Sequence, residues 1–255
     1  MLRSDLQRSD INRLIEEAME EFGRKGFILP AWAYWDLKKW DENRELAEDI
    51  RKEELGWRVS DFNSGRFEAY GGGFFTLSNA ALDSDGSRKD IDQMHSVKYI
   101  YRKGGQKAPL HFHWSKREEY LNYGDGITTI VLYNRASENE IDTKSPVEVK
   151  INHIWQAVAA GTPVEIPSAS SIYIPRRTIH AYGTKKGSTV AVETASRNND
   201  NKDNHWVEND DGRIGTYSEP VENLLTYHSM GRVFPQLNEL PGTEKFEYLL
   251  ALYCS

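Results

Sequence analysis

The chain has 255 residues, a formal net charge of −7 at neutral pH, and 38% hydrophobic against 28% charged residues. That length can bury one sizeable core, the acidic balance argues against broad phosphate-backbone binding, and no apolar run nears the roughly 20 residues that span a bilayer. A single cysteine, Cys254, excludes an internal disulfide and suits a reducing compartment, and Met1 to Arg8 lacks the apolar stretch of a secretory signal. The expectation is a cytoplasmic protein that handles small molecules, with neither nucleic acid nor membrane as partner.

In chain order, Ile11, Leu14, Ile15, Ala18, Met19 and Phe22 keep the rhythm of an amphipathic helix, with Ser9 or Asp10 as its cap and Gly23 and Gly26 at its end. A second, charged helix is predicted over about Leu37 to Leu55, with Asp36 as cap. From Gly56 the texture changes to short runs rich in β-branched and aromatic residues, at Gly73–Leu77, Ser96–Tyr101, Ile127–Tyr133 and Thr189–Thr194. Many short strands separated by turns predict an antiparallel sandwich or small barrel. Ser137 to Pro146 reads as a loop or hairpin excursion, Asn198 to Asn209 as a polar surface loop, and the segment from Glu219 as packing back on the barrel or on a neighbouring subunit. The division expected is a helical extension packed on the barrel over 1–55, the barrel over 56–235 and a C-terminal extension over 236–255.

The chemistry-bearing pattern is His111-Phe112-His113, with Glu118 five residues on and His180 after Pro175. Residues i and i+2 of a strand share a face, so His111 and His113 project together. With Glu118 and His180 they make a cage of three imidazoles and a carboxylate that suits Mn²⁺, Fe²⁺, Co²⁺, Ni²⁺ or Zn²⁺. Four protein ligands leave two octahedral positions for a substrate chelating through two oxygens. A lone His-x-His is often chance on an ordinary strand. Here a carboxylate, Gly124 and Gly126, and a returning Pro-x4-His segment accompany it. His95, His153 and His228 have no such company and read as ordinary surface or core histidines.

These residues resemble the cupin superfamily: His111, His113, Glu118 and Gly124 match its first motif, and Pro175 and His180 its second. Arg177 stands where the second motif usually has glycine. Within cupins the chain resembles the D-lyxose isomerase family, through Leu55–Val59, Phe75–Leu77, Lys98, Pro109–Glu118 and Asn198 through Asp203-Asn204-His205. The resemblance covers about residues 11 to 235. It implies an all-β cupin barrel with N-terminal helices, a divalent metal, commonly Mn²⁺, aldose–ketose interconversion and a homodimer.

Such a reaction, D-lyxose to D-xylulose or D-mannose to D-fructose, moves a proton between C2 and C1 through a cis-enediol and needs a positioned base. Glu193, which alternates with Val190 and Val192, is the first choice for that base; an edge-strand charge is its ordinary alternative. Lys98 and Lys116 are candidates to stabilise charge on O1 or O2, with Arg117 pointing the other way. Asp203 and His205 could form a lid or a second acid/base pair, or be turn chemistry only. Trp114 and Trp57 could wall a sugar pocket, though tryptophan more often packs in a core. Two rivals stand: an Fe²⁺ dioxygenase on the same cage, and a non-catalytic sugar-binding protein.

Overall fold

The computed structural model describes residues 8–45, 47, 48, 50, 53–62, 64–79, 95–137, 140–196, 198 and 203–207. Cys254, His228, the segment from Glu219 and the expected C-terminal extension lie outside them. Among the described residues α1 (Arg8–Arg24) and α2 (Leu37–Glu42), with a single 3₁₀ turn between them, precede the strands, and Glu48 and Ile50 are again helical. The first seven strands are β1 (Gly56–Ser60), β2 (Gly72–Ser78), β3 (Ser96–Arg102), β4 (His111–His113), β5 (Glu118–Asn122), β6 (Ile127–Arg135) and β7 (Ile141–Asp142). The remainder are β8 (Val147–Ile151), β9 (Ile154–Val158), β10 (Val164–Ile166), β11 (Ser170–Ile174), β12 (Ile179–Lys186), β13 (Thr189–Ala195) and β14 (Asn204–Trp206).

All the ladders between these strands are antiparallel, and they build two sheets. One has eight strands in the order β1-β2-β3-β13-β5-β11-β8-β9. The other has six, in the order β10-β6-β12-β4-β14, with β7 pairing to β6. The non-sequential order is that of a cupin barrel, in which distant segments become neighbours. Phe74, Ile100 and Tyr120 of the first sheet meet Ile130, Leu132 and Tyr182 of the second in the barrel core. Each buried aliphatic or aromatic side chain there contributes about 1.5–3 kcal/mol.

The outer face of the first sheet is covered by α1, whose Leu14, Ile15, Ala18 and Phe22 are almost fully buried. Phe22 stacks on Trp57 at 5.9 Å between centroids, and the Trp57 indole N–H donates to the Ala33 carbonyl at 3.0 Å. Helix and sheet therefore share one apolar seam. The described helix begins at Arg8, so Ser9 and Asp10 sit in its first turn and not at its cap. It ends at Arg24, and Gly26 follows with a φ of +80° that only glycine adopts without penalty.

The charged stretch is not one continuous helix to Leu55: α2 is short, turns follow it, and Glu48 and Ile50 are helical again. Asp36 does cap α2, accepting from the Lys39 N–H at 2.9 Å. The helix stops after Glu42, where the Asn43 side chain donates back to the Lys39 carbonyl at 2.8 Å and residues 43–45 enter turns. Asparagine competes for backbone groups in this way and so terminates helices. The excursion after Ser137 is a hairpin, with β7 pairing to Asn134 and Arg135 of β6. The polar run near Asp203 contains a strand, β14, which pairs with β4 and places Trp206 opposite His111. No helix among the described residues is long and apolar enough to cross a membrane.

Candidate active site

The site is built on β4, β12 and the start of β5. The short β4 buries His111 and His113 on one face, and its partner β12 places His180 directly across from His111. The ligand atoms of these three histidines lie within 4.8 Å of one another, and this buried group could hold a metal ion. Gly124 follows Glu118 because a Cβ there would stand 2.5 Å from the Val190 nitrogen. At Gly126 it would stand 2.3 Å from the Lys186 carbonyl oxygen. The hairpin after β5 therefore presses against backbone that carries β12 into β13.

Each imidazole is oriented by a carbonyl behind it. Nδ1 of His111 donates to Pro109 at 2.9 Å, that of His113 to Asp203 at 3.2 Å, and that of His180 to Thr178 at 2.9 Å. A carbonyl only accepts, so Nδ1 carries the proton and Nε2 presents its lone pair inward. Burial, and then the neighbouring His180, lowers the His111 pKa to about 3. Burial with Lys116 nearby holds His113 well below the ordinary imidazole range. Nε2 of His113 and of His180 is buried without a hydrogen-bond partner among the described residues. His180 Nε2 is nevertheless 2.8 Å from Glu118 Oε1, and His113 Nε2 is 3.5 Å from Glu118 Oε2. Bare nitrogen lone pairs converging beside a carboxylate call for a cation among them, and this donor set fits a divalent metal.

Glu118 is held from two further sides. Oε1 accepts from the Tyr182 hydroxyl at 2.6 Å, and Oε2 pairs with the Lys116 ammonium at 2.8 Å. Burial pushes this carboxyl up, yet the Lys116 ammonium beside it holds it well below the usual carboxylate range. Burial, then Glu118 and Glu193, push the Tyr182 phenol well above its ordinary value, so it stays protonated as a donor.

Lys116 also reaches Glu193 Oε1 at 2.9 Å, and Lys98, opposite Glu193 across the β3–β13 ladder, stands 3.8 Å from that oxygen. Glu193 shares its face with Ala191, opposite Val190 and Val192, and that face is the barrel interior. Lys98 donates to the Asn198 side-chain oxygen at 3.2 Å. Asn198 is fixed in turn by two hydrogen bonds exchanged with Asn79. A cavity opens here, with His111, His113, Lys98, Lys116 and Glu193 in its wall.

The structure corrects the expectations for Trp114, His205, Trp57 and Asp203. Trp114 and His205 do not line the cavity. Phe112 and Trp114 point opposite to His111 and His113, as strand alternation demands, and His205 stacks on Phe112 at 5.0 Å and 21°. Trp57 faces α1, so its neighbour Arg58 lines the cavity instead. Asp203 is a clamp: its two oxygens accept from the Ser115 and Lys116 N–H groups at 2.9 Å each, while its carbonyl holds His113. His95 and His153 are exposed.

Sequence reasoning missed Tyr182, Arg102, Phe74 and Trp206, all in the cavity wall. Tyr182 could have been found two residues after His180, and Arg102 four after Lys98, since even spacing shares a strand face. Trp206 gave no signal, because its position 5.1 Å from the His111 ring depends on an edge pairing inside a polar run. Arg177 adopts φ +65°, so the turn keeps the left-handed conformation that glycine normally supplies. There its N–H donates to the His113 carbonyl at 2.8 Å.

Fold and site together define a cupin-barrel enzyme with a buried histidine group able to take a metal. Solved structures share that fold: a mutant of Acinetobacter sp. DL28 L-ribose isomerase in complex with L-ribose aligns with a TM-score of 0.52 at 13% identity, over 85% of this chain and 99% of that one. Cellulomonas parahominis L-ribose isomerase with L-ribose aligns at 0.51 and 12%, over 91% and 98%. The chain belongs to the D-lyxose isomerase family, whose model matches residues 6–228. It is 30% identical over 208 residues to a D-lyxose/D-mannose isomerase of Escherichia coli O157:H7, covering 80% of this chain and 88% of that protein. It is 26% identical over 206 residues to the protein of the same name from Serratia proteamaculans. It is an aldose–ketose sugar isomerase.

Proposed function

We propose that the chain interconverts D-lyxose and D-xylulose, and D-mannose and D-fructose, using a divalent metal, Mn²⁺ first, held by His111, His113, His180 and Glu118. The name shared by the two relatives supports the substrates. The observation that carries the mechanism is the file of alternating charges, Glu118, Lys116, Glu193 and Lys98, running from the three imidazoles into the cavity. When bound, the metal supplies a Lewis acid for two vicinal oxygens of the sugar.

The protein's own groups do the proton work. The Glu193 carboxylate takes the C2 proton and returns it to C1 on the same face. Lys116 and Lys98 hold the Glu193 carboxylate in place and stand ready to donate to the oxygen that gains charge as the proton leaves. Tyr182 and Lys116 fix the orientation of Glu118, leaving its other lone pairs directed at the histidines.

The test is Glu193→Gln. It should retain metal binding but suppress exchange of the C2 proton with deuterated solvent by at least about a hundredfold. Exchange at the parent rate assigns the base elsewhere. Chelation should abolish turnover and Mn²⁺ restore it; full activity after exhaustive chelation removes the metal from the reading.

The homodimer belongs to the same reading. At the free edge of the eight-stranded sheet, β9 exposes Ile154 by 67% and Trp155 by 56%. Uncovered apolar edges of this kind suit association with a second copy. Sedimentation of Trp155→Glu should give a smaller species than the parent; an identical mass places the contact elsewhere.

A further inference from the structure

Beyond the charged file, one cation in the cavity wall has no counterpart among the described residues. Arg102 is 3% exposed, and its Nε and Nη1 have no hydrogen-bond partner among the described residues. The guanidinium carbon stands 5.5 Å from the Phe74 ring centroid and 5.8 Å from that of Tyr182. Those ring faces offset part of its desolvation, but they accept no hydrogen bond from its N–H edges. A buried guanidinium is stable in such a place only when an acceptor completes it. Arg102 lines the same cavity as His111 and Glu193, so the missing acceptor has a route in.

Lys98, Ile100 and Arg102 are successive inward positions of β3. The backbone between Lys98 and Arg102 covers about 13 Å at the rise of a strand. Lys98 stands at Glu193, where the carbonyl end of the sugar is handled, and Arg102 lies at the other end of that run. An extended five-carbon chain measures about 5 Å from carbon–carbon bonds near 1.5 Å. With a hydrogen bond of about 3 Å at each end such a chain is of the same order as that backbone run. Phe74 and Tyr182 beside the guanidinium offer apolar faces to the C–H groups of such a chain.

We propose that Arg102 is a specificity-determining residue. Its unpaired guanidinium receives the terminal hydroxyl oxygen of the open-chain aldose whose C1 and C2 lie at the histidines and Glu193. This rests on the isomerase reading above and deepens it by naming what selects the far end of the substrate. A guanidinium only donates, so it rewards an oxygen acceptor and excludes a methyl group, which would leave it buried and unpaired.

The experiment is a cycle of two enzymes and two sugars: the parent and Arg102→Met, each with D-lyxose and 5-deoxy-D-lyxose. The parent should favour D-lyxose by about tenfold to a hundredfold in kcat/KM, the range of a hydrogen bond to a charged group. R102M should lose a similar factor on D-lyxose, mainly through KM, and less than about threefold on the deoxy sugar. If the two losses multiply independently, Arg102 is structural and the proposal is overturned. Should R102M fail to fold, Arg102→Lys serves in its place, with an intermediate preference expected and independence again decisive. If the parent converts another aldose faster, the cycle is run with that sugar and its terminal deoxy form. Conversion of no aldose sinks the isomerase reading and this inference together, whereas conversion with independent factors sinks the inference alone.

Discussion

The metal-free protein should lose stability as acid reaches the histidine cluster, by an amount the His111 environment fixes. His111 falls from an ordinary 6.5 to about 3 in the fold, because burial penalises its charged form. A folded pKa below the unfolded one means that the unfolded chain takes up the proton first. The stability is therefore complete above pH 6.5 and is lost as pH falls from there towards 3. At pH 5 the unfolded imidazole is almost fully protonated and the folded one is not, which costs about 2 kcal/mol, rising to about 5 kcal/mol at the acid limit. His113 is displaced in the same direction by the same cause and adds to the loss. Carboxylates titrate over part of this range too, so a difference is the cleaner measurement. His111→Gln should lose about 2 kcal/mol less than the parent between pH 7.5 and pH 5 in urea unfolding of chelated protein. Bound Mn²⁺ should move the parent's loss to lower pH, because it binds the folded state alone and competes with protons for Nε2. Equal losses in parent and variant would refute a neutral, desolvated His111.

Other perturbations separate the clamp from the cavity and the cavity from the outer face. Asp203→Ala removes the side-chain acceptors of the Ser115 and Lys116 N–H groups and should cost about 2–4 kcal/mol, with metal affinity weakened about tenfold to a hundredfold as His113 loosens; equilibrium dialysis with unchanged affinity contradicts this. Tyr182→Phe deletes one donor to Glu118 and should weaken metal binding by about tenfold with little change in melting temperature, read by calorimetric titration. Trp114→Ala should cost about 2 kcal/mol, because the ring holds Arg135 at 4.2 Å and Arg177 at 5.3 Å. It should leave KM nearly untouched, since Trp114 faces away from the cavity; a several-fold rise in KM would place it at the substrate.

What was legible in the sequence was whatever depends on alternation along a single strand. His111 and His113 share a face whatever pairs with them, and the position of Glu193 opposite Val190 and Val192 left only two possible environments. What pairs with what was not legible. The DNHW run looks like a polar loop because edge strands need no apolar signature, yet its pairing with β4 delivers Trp206 to His111 and the Asp203 carbonyl to His113. The same pairing carries His205 to the outer face, against Phe112. The charged stretch after Asp36 shows the opposite failure. Helix propensity summed over many Glu, Lys and Arg residues is a weak prior, and one Asn43 side chain turned back on Lys39 ends the helix after six residues.

Arg177 shows why a broken motif did not break the site. Family resemblance placed a glycine two residues after Pro175, for a turn with positive φ, and the chain has arginine there at φ +65°. A non-glycine residue in that region costs about 1–2 kcal/mol, so something at the turn has to offset it. The backbone N–H lands on the His113 carbonyl, tying the β11–β12 turn to the strand that carries two of the histidines. The guanidinium lies over Trp114, on the face of β4 away from the cavity. The turn is thus locked from both sides of β4, and the approach of His180 to His111 follows from those contacts rather than from glycine's freedom. The motif's physical content is the left-handed turn that brings β12 back across β4, and a side chain with its own anchorage preserves it.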